Sequence, residues 1–198
     1  MAMKLGAVTL EGRLVRLEPL GQRHAEDLAR SCAEPGTWQY FPMAPIASLE
    51  EMRAWIAQRE ADAARGEWLA FAIVEHASGR TVGSTSYIDI AAAHHRLEIG
   101  STWLQAPVRR TGINTECKYL LLRHAFETLG ANRVQLKTDA RNVQSQRAIE
   151  RIGATKEGVL RAQFVMIDGY LRDSVMYAVI EPEWPAVKAR LEALLARG

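Results

Sequence analysis

The chain of 198 residues contains only two cysteines, Cys32 and Cys117, far apart in sequence. They form neither a C-x-x-C pair nor a metal-ligand spacing, so no disulfide framework and no metal are expected. A reduced, cytoplasmic setting is the simplest expectation. Long apolar runs are also missing. None approaches the roughly 20 residues that cross a bilayer, and the stretch from Met1 to Arg13 lacks the apolar core of a signal peptide. No membrane partner is expected. An excess of charge is missing too: the net charge is +2, with no Lys/Arg block. Nucleic-acid binding is therefore disfavoured. No repeat, low-complexity tract or linker interrupts the chain. What remains is an ordinary globular mix, 48 % hydrophobic and 24 % charged. It suits a single domain over residues 1–198, with a core from about 13 to 180 and a final helix over 181–197.

Periodicity supplies the elements. Arg13 to Leu20 alternates and reads as a strand; Gln22 to Ala33 reads as a helix. Glu34 to Ala47 carries prolines with Trp38, Tyr40 and Phe41 and reads as an aromatic loop. Ser48 and Glu51 form a capping box that opens a helix to about Arg65. Trp68–His76 and Thr81–Ile90 flank a hairpin turn, Ala91–His95 is a turn, and Arg96–Leu104 is the next strand. A helix over Asn114–Leu129 presents Cys117, Leu120, Leu121 and Ala125 as an apolar stripe, with Gly130 as its C-cap. Arg133–Asp139 is a strand and Asn142–Ile152 a helix. Glu157–Met166 and Tyr170–Ile180 flank the turn dipeptide Asp168-Gly169. Glu181–Arg197 closes the chain as a helix. The fold class is α/β: one domain with a mixed, mostly antiparallel twisted sheet flanked by helices.

The run from Trp103 to Glu116 carries the most chemistry. A strand ends, a basic loop with one glycine follows, and a long helix begins. The first N–H groups of a helix lack intrahelical partners and carry the positive end of its dipole, so this order of elements favours a phosphate. Gly112 is expected to supply an unusual backbone conformation and room for the ligand, with Arg109 and Arg110 beside it. No Gly-Lys-Ser/Thr follows, and a second and third glycine are absent. The P-loop and the dinucleotide fingerprint are thus both disfavoured.

Arg109-x-x-Gly112-x-Asn114 resembles the R/Q-x-x-G-x-G/A motif of the GNAT N-acetyltransferases, with Asn114 in place of the last glycine. Asn142-x-x-Ser145, followed by Gly153-Ala154, resembles a second segment of that family, and Glu98-Ile99-Gly100 a third. The run Glu157 to Arg161 and the hairpin carrying Asp168-Gly169, Arg172-Asp173 and Tyr177 resemble the Rim-type branch, which contains ribosomal-protein N-terminal acetyltransferases. The resemblance implies an enzyme in which an amine attacks the thioester of acetyl-CoA directly. It places the pyrophosphate on Arg109, Arg110, Thr111, Gly112, Ile113, Asn114 and Thr115. It places the pantetheine arm along Trp103 and Leu104, whose main chain would serve the oxyanion, and near Asn142.

The resemblance also assigns chemistry. Glu98 is the expected general base, although a carboxylate near its ordinary value of ~4.3 must be perturbed to act as one. A histidine, His94 or His95, or water is the alternative. Phe164 stands where Rim-type enzymes can carry a glutamate, and Ile149 where many GNAT enzymes carry a tyrosine. Ser145 is then expected to protonate the leaving thiolate, or to satisfy the first turn of its helix. Trp38, Tyr40, His94 and His95 are expected to border the acceptor, or in the case of the aromatics to pack. The expected acceptor is a protein or peptide N-terminal amine, with a small-molecule amine or a non-catalytic CoA-binding module as alternatives. A homodimer is a further expectation, through the apolar final strands.

Overall fold

The computed structural model describes residues 3–32 and 36–197. The strands are β1 (Leu10–Glu11), β2 (Val15–Pro19), β3 (Leu69–Glu75), β4 (Thr81–Ala91), β5 (Arg96–Leu104), β6 (Arg133–Asp139), β7 (Thr155–Val165) and β8 (Leu171–Ile180). The helices are α1 (Ala25–Cys32), α2 (Leu49–Ala64), α3 (Ile113–Arg123), α4 (Val143–Arg151) and α5 (Trp184–Ala196). The strands form one eight-stranded sheet in the order β1-β2-β3-β4-β5-β6-β8-β7. The β5–β6 pair, joined through α3, is parallel; every other neighbouring pair is antiparallel. This is the expected α/β architecture.

The differences from expectation are local. β1 was not anticipated from the sequence. The first helix begins as a 3-10 turn over Gln22–His24, and Ala33 lies outside the described residues, as do Glu34 and Pro35 of the aromatic loop. The helix expected to reach Leu129 changes after Arg123 into a π turn over His124–Thr128. Tyr87 donates from its hydroxyl to the Leu121 carbonyl at that junction, 2.6 Å away. Ser48 caps α2 as expected, accepting from the Glu51 N–H while Glu51 accepts from the Ser48 N–H.

Each face of the sheet has its own core. Leu17, Leu97, Leu120, Leu121, Val134 and Leu136 belong to the cluster under α3 and α5. Leu28, Trp38, Met52, Ile56, Ala72 and Trp103 belong to the cluster under α1 and α2. Fully burying such side chains contributes about 1.5–3 kcal/mol each before entropy is charged. The buried Glu116 of α3 accepts the N–H groups of Arg13, Leu14 and Val15 at 2.9, 2.6 and 2.9 Å. That one carboxylate fixes the start of α3 against β2, and α3 carries the basic loop with it.

Candidate active site

β5 and β6 pair only at Arg96–Arg133, Leu97–Val134 and Glu98–Gln135. Beyond Glu98 the two strands part. β4 advances from Ser84 to Ser86 while β5 advances from Gly100 to Trp103, so β5 holds one extra residue. Ser101, at φ 47°, marks this bulge. A bulge re-aims the side chains that follow it. Trp103 joins the α1/α2 core, whereas Thr102 turns to α3. The edge of β5 that faces β6 is thus without a strand partner from Ile99 to Leu104 in this ladder. Main-chain groups along such an edge are available to a bound chain.

Around the start of α3 lies a cavity of about 270 Å³ lined by Arg110, Thr111, Gly112, Thr115, Arg151 and Leu194. A larger one of about 310 Å³, between α2 and β3, is mostly alkyl-lined and contains none of the expected site residues. Gly112 is the N-cap of α3 and offers no side chain to its first turn. Its φ of −65° is helical, so the expected unusual backbone does not occur there. The left-handed residue is Arg110, at φ 64°. Space is only mildly restricted there: a Cβ would lie 2.9 Å from Leu14 Cδ1, the tip of a side chain that can shift. Arg109 turns away from the cavity, donating to the Leu104 carbonyl at 2.8 Å and to Thr37 Oγ1 at 3.1 Å. It ties the basic loop to the strand end. Arg151, not anticipated from the sequence, reaches Thr115 Oγ1 at 2.7 Å and adds a second cation to the cavity beside Arg110. Ile113 is buried in the core, and Asn114 Oδ1 is buried without a hydrogen-bond partner.

On the α1/α2 face of the parting, Glu98 is 1 % exposed. Lys137 Nζ lies 3.0 Å from its Oε2, and Gln135 donates to the same oxygen at 3.1 Å. A Cβ on Gly100 would come within 2.8 Å of Glu98 Oε1, so glycine there makes room for the carboxylate. Asp139 is held by the Arg141 fork. Burial works to raise the Asp139 carboxyl, but Arg141 outweighs it and keeps it below its ordinary range. Phe164 lies under both Lys137 and Arg172, at 5.2 and 5.1 Å from its ring centroid. Cations favour such an aromatic face.

The remaining predicted residues divide. Asn142 caps α4, accepting the Ser145 N–H at 3.0 Å; Ser145 itself is half-buried. Trp38 packs on Trp103 and Phe41, with ring centroids 5.5 and 5.4 Å apart. Tyr40 reaches the Glu98 face, its carbonyl accepting from Arg172 Nη1 at 3.0 Å. His94 and His95 stand at the other end of β5, before Arg96, where His95 Nδ1 lies 2.9 Å from the Gly130 carbonyl. The structure does not bring them to the parting. Lys118 was also missed. It points from α3 at Thr102 Oγ1, 2.8 Å away, and Thr102 meets Thr85 Oγ1 at 2.8 Å. Burial pushes the Lys118 ammonium down to about 8. A lone lysine inside the apolar run of α3 was the available signal.

Comparison with known proteins agrees with this fold. Residues 14–155 match the family model of the acetyltransferase (GNAT) domain. A GCN5-related N-acetyltransferase from Brucella melitensis superposes with a TM-score of 0.91 at 30 % identity, over 98 % of this chain and 89 % of that one. An acetyltransferase from T. thermophilus gives 0.88 at 42 % identity, over 98 % of this chain and all (100 %) of that one. YdaF of Bacillus subtilis (strain 168), a protein named for ribosomal N-acetylation, is 31 % identical over 110 residues, 56 % of this chain and 59 % of the relative.

Proposed function

The chain belongs to the GNAT family of acetyltransferases, and on that premise we propose that it moves the acetyl group of acetyl-CoA to the α-amine of a protein or peptide N-terminus. One observation carries this choice: Glu98, the carboxylate nearest the parting, is already engaged by Lys137 and Gln135. A carboxylate so held is poorly placed to strip a proton from a lysine-type amine, whose ordinary pKa is ~10.4. An N-terminal α-amine, at roughly 7.7–8, is acidic enough for even such an engaged carboxylate to serve as its base. The name of the partial relative YdaF, which refers to ribosomal N-acetylation, points the same way.

In this reading the cavity beside Arg110, Thr111, Gly112, Thr115 and Arg151 holds the phosphates of the donor. The free edge of β5 at Trp103 and Leu104 holds its pantetheine arm and presents main-chain N–H groups to the oxyanion. The donor supplies the activated acetyl group. The free amine forms the new N–C bond, the C–S bond breaks, the nitrogen's surplus proton passes to Glu98, and Ser145 passes a proton to the thiolate and regains one from solvent. The absence of a tyrosine at Ile149 leaves that task to Ser145. The exposed Val159, Leu160, Val165, Ile167 and Leu171 of the β7–β8 hairpin support a homodimer, which light scattering would test.

The direct test is thiol release from acetyl-CoA over a panel of peptides and small amines. Peptides with free N-termini should be acetylated at the α-amine, read by mass spectrometry. Turnover confined to small amines would sink the peptide assignment.

A further inference from the structure

Arg172 on β8 is 6 % exposed, yet no carboxylate lies within ion-pair distance of it among the described residues. Its Nη1 donates to the Tyr40 carbonyl, and its Nε is buried with no hydrogen-bond partner. A buried guanidinium left short of partners is costly, and such groups mark places where a ligand completes the set. Burial pushes it below its ordinary value, while the fields of Asp139 and Glu98 oppose that shift.

Its surroundings say what kind of ligand. The ladders place Arg172 opposite Phe164, and Ser174 opposite Asp139, on the face that carries Glu98 and Lys137. Ser174 Oγ and, across the parting on β4, Ser86 Oγ are also buried without partners. Lys137 is paired with Glu98 and Arg141 with Asp139, with Asp168 also acting on Arg141, so Arg172 is the cation of this group that has no ion-pair partner among the described residues. An acceptor adding further positive charge is disfavoured there. An oxygen is favoured, and the guanidinium already takes a peptide carbonyl, that of Tyr40.

We propose that Arg172 is the specificity-determining residue of the acceptor site, its free Nε–H reading an oxygen carried beside the reacting amine. The acceptor class is then an α-amino carbonyl or α-amino carboxylate compound. Polyamines and other polycations are excluded. This rests on the acyl-transfer reading above and narrows it.

The test compares alanyl-alanyl-alanine amide with the same compound whose first carbonyl is reduced to methylene, and with alanine and spermidine. Rates of CoA release are taken as kcat/KM per unprotonated amine. A site built to hydrogen-bond a substrate oxygen rejects the analogue lacking it strongly, so the wild type should prefer the carbonyl peptide by about 30-fold or more. Arg172→Gln should lose about that factor on the peptide and nothing on the reduced compound, with acetyl-CoA affinity unmoved by calorimetry. Arg172→Lys, which keeps the charge but not the fork, should fall between. Alanine faster than the peptide identifies a carboxylate as the oxygen; the reverse order identifies the main-chain carbonyl; either supports the inference. Should spermidine or the reduced compound match the peptide in the wild type, or should the preference survive in Arg172→Gln, the inference is overturned and the acyl-transfer reading stands. No turnover on any acceptor, small amines included, overturns both.

Discussion

Two buried cations flank the parting of β5 and β6 on opposite faces of the sheet. Lys118 is 7 % exposed and Arg172 6 % exposed, and neither has a carboxylate within ion-pair distance among the described residues. Their chemistry differs. Lys118 meets a hydroxyl, and burial takes it down to about 8, so it can shed its proton. An arginine cannot, so the charge of Arg172 persists at any pH the enzyme meets. On the α3 face, where the donor arm is proposed to lie, the charge is expendable. On the Glu98 face it is permanent, beside a carboxylate and two unpartnered hydroxyls. On the proposed reading the faces divide the work: one accommodates the donor and the other selects the acceptor.

The largest effect belongs to the carboxylate that shares a face with Arg172. Glu98→Gln should lower kcat on peptide acceptors by about 100-fold or more, the scale of a lost general base, while acetyl-CoA affinity holds. Glu98→Asp, which keeps the charge but retreats from Lys137, should recover part of it. A Glu98→Gln rate within a factor of about 2 of wild type would remove Glu98 from the proton path and leave that role to water.

The next effect is on stability and sharpens the difference in titration. The Lys118 value is lowered from 10.5 to about 8, so the native state gives up this proton before the unfolded chain does. Where the unfolded chain binds more protons, stability rises with pH. The cost of burying the charge is therefore present in full below pH 8 and is relieved between about 8 and 10.5. Lys118→Met should be more stable than wild type at pH 7, by up to about 3 kcal/mol. The gap should close above pH 10.5, read by urea midpoints across pH. A constant gap would mean that Lys118 finds a partner not provided by Thr102. The carbonyl preference set by Arg172 should be untouched in this variant.

How much of this was legible in the sequence follows from the range of each cause. Short-range signals read well. The bounds of β5 and β6 matched their alternation, and Ser48 with Glu51 marked the start of α2. The bulge at Ser101 did not read, because a left-handed serine leaves no compositional trace. Without it Thr102 would face Glu98 rather than Lys118. Gly112 stands at the start of α3 as expected, but without the unusual backbone. Its φ is helical, and its nearest long-range neighbour is the movable tip of Leu14, nearly a hundred residues away in sequence. Arg172 stood inside a recognised hairpin motif. Its isolation emerges only once β8 pairs with β6 and the aromatic loop supplies Tyr40. The histidines read as acceptor residues because the turn precedes the strand of Glu98. The direction of β5 then carries them away from the parting.

The smallest effect tests whether the two faces act independently. Arg110 and Arg151 both line the cavity proposed for the phosphates and both are exposed, so neither should contribute more than a surface-scale interaction. Such charges are worth about 0.5–1 kcal/mol, or roughly 2- to 5-fold in acetyl-CoA affinity. Arg151→Gln should cost more than Arg110→Gln, because Arg151 is held in place by Thr115 and forfeits less side-chain entropy on binding. Both losses should shrink in high salt, and kcat should hold. Neither variant should alter the ratio of carbonyl peptide to reduced peptide. If that ratio moved with Arg151, donor and acceptor would be coupled through α4, since Glu150 beside it accepts the Tyr177 hydroxyl on β8 at 3.0 Å. Tyr177→Phe would then have to reproduce the shift, and if it did not, the coupling would have to run through the bound donor.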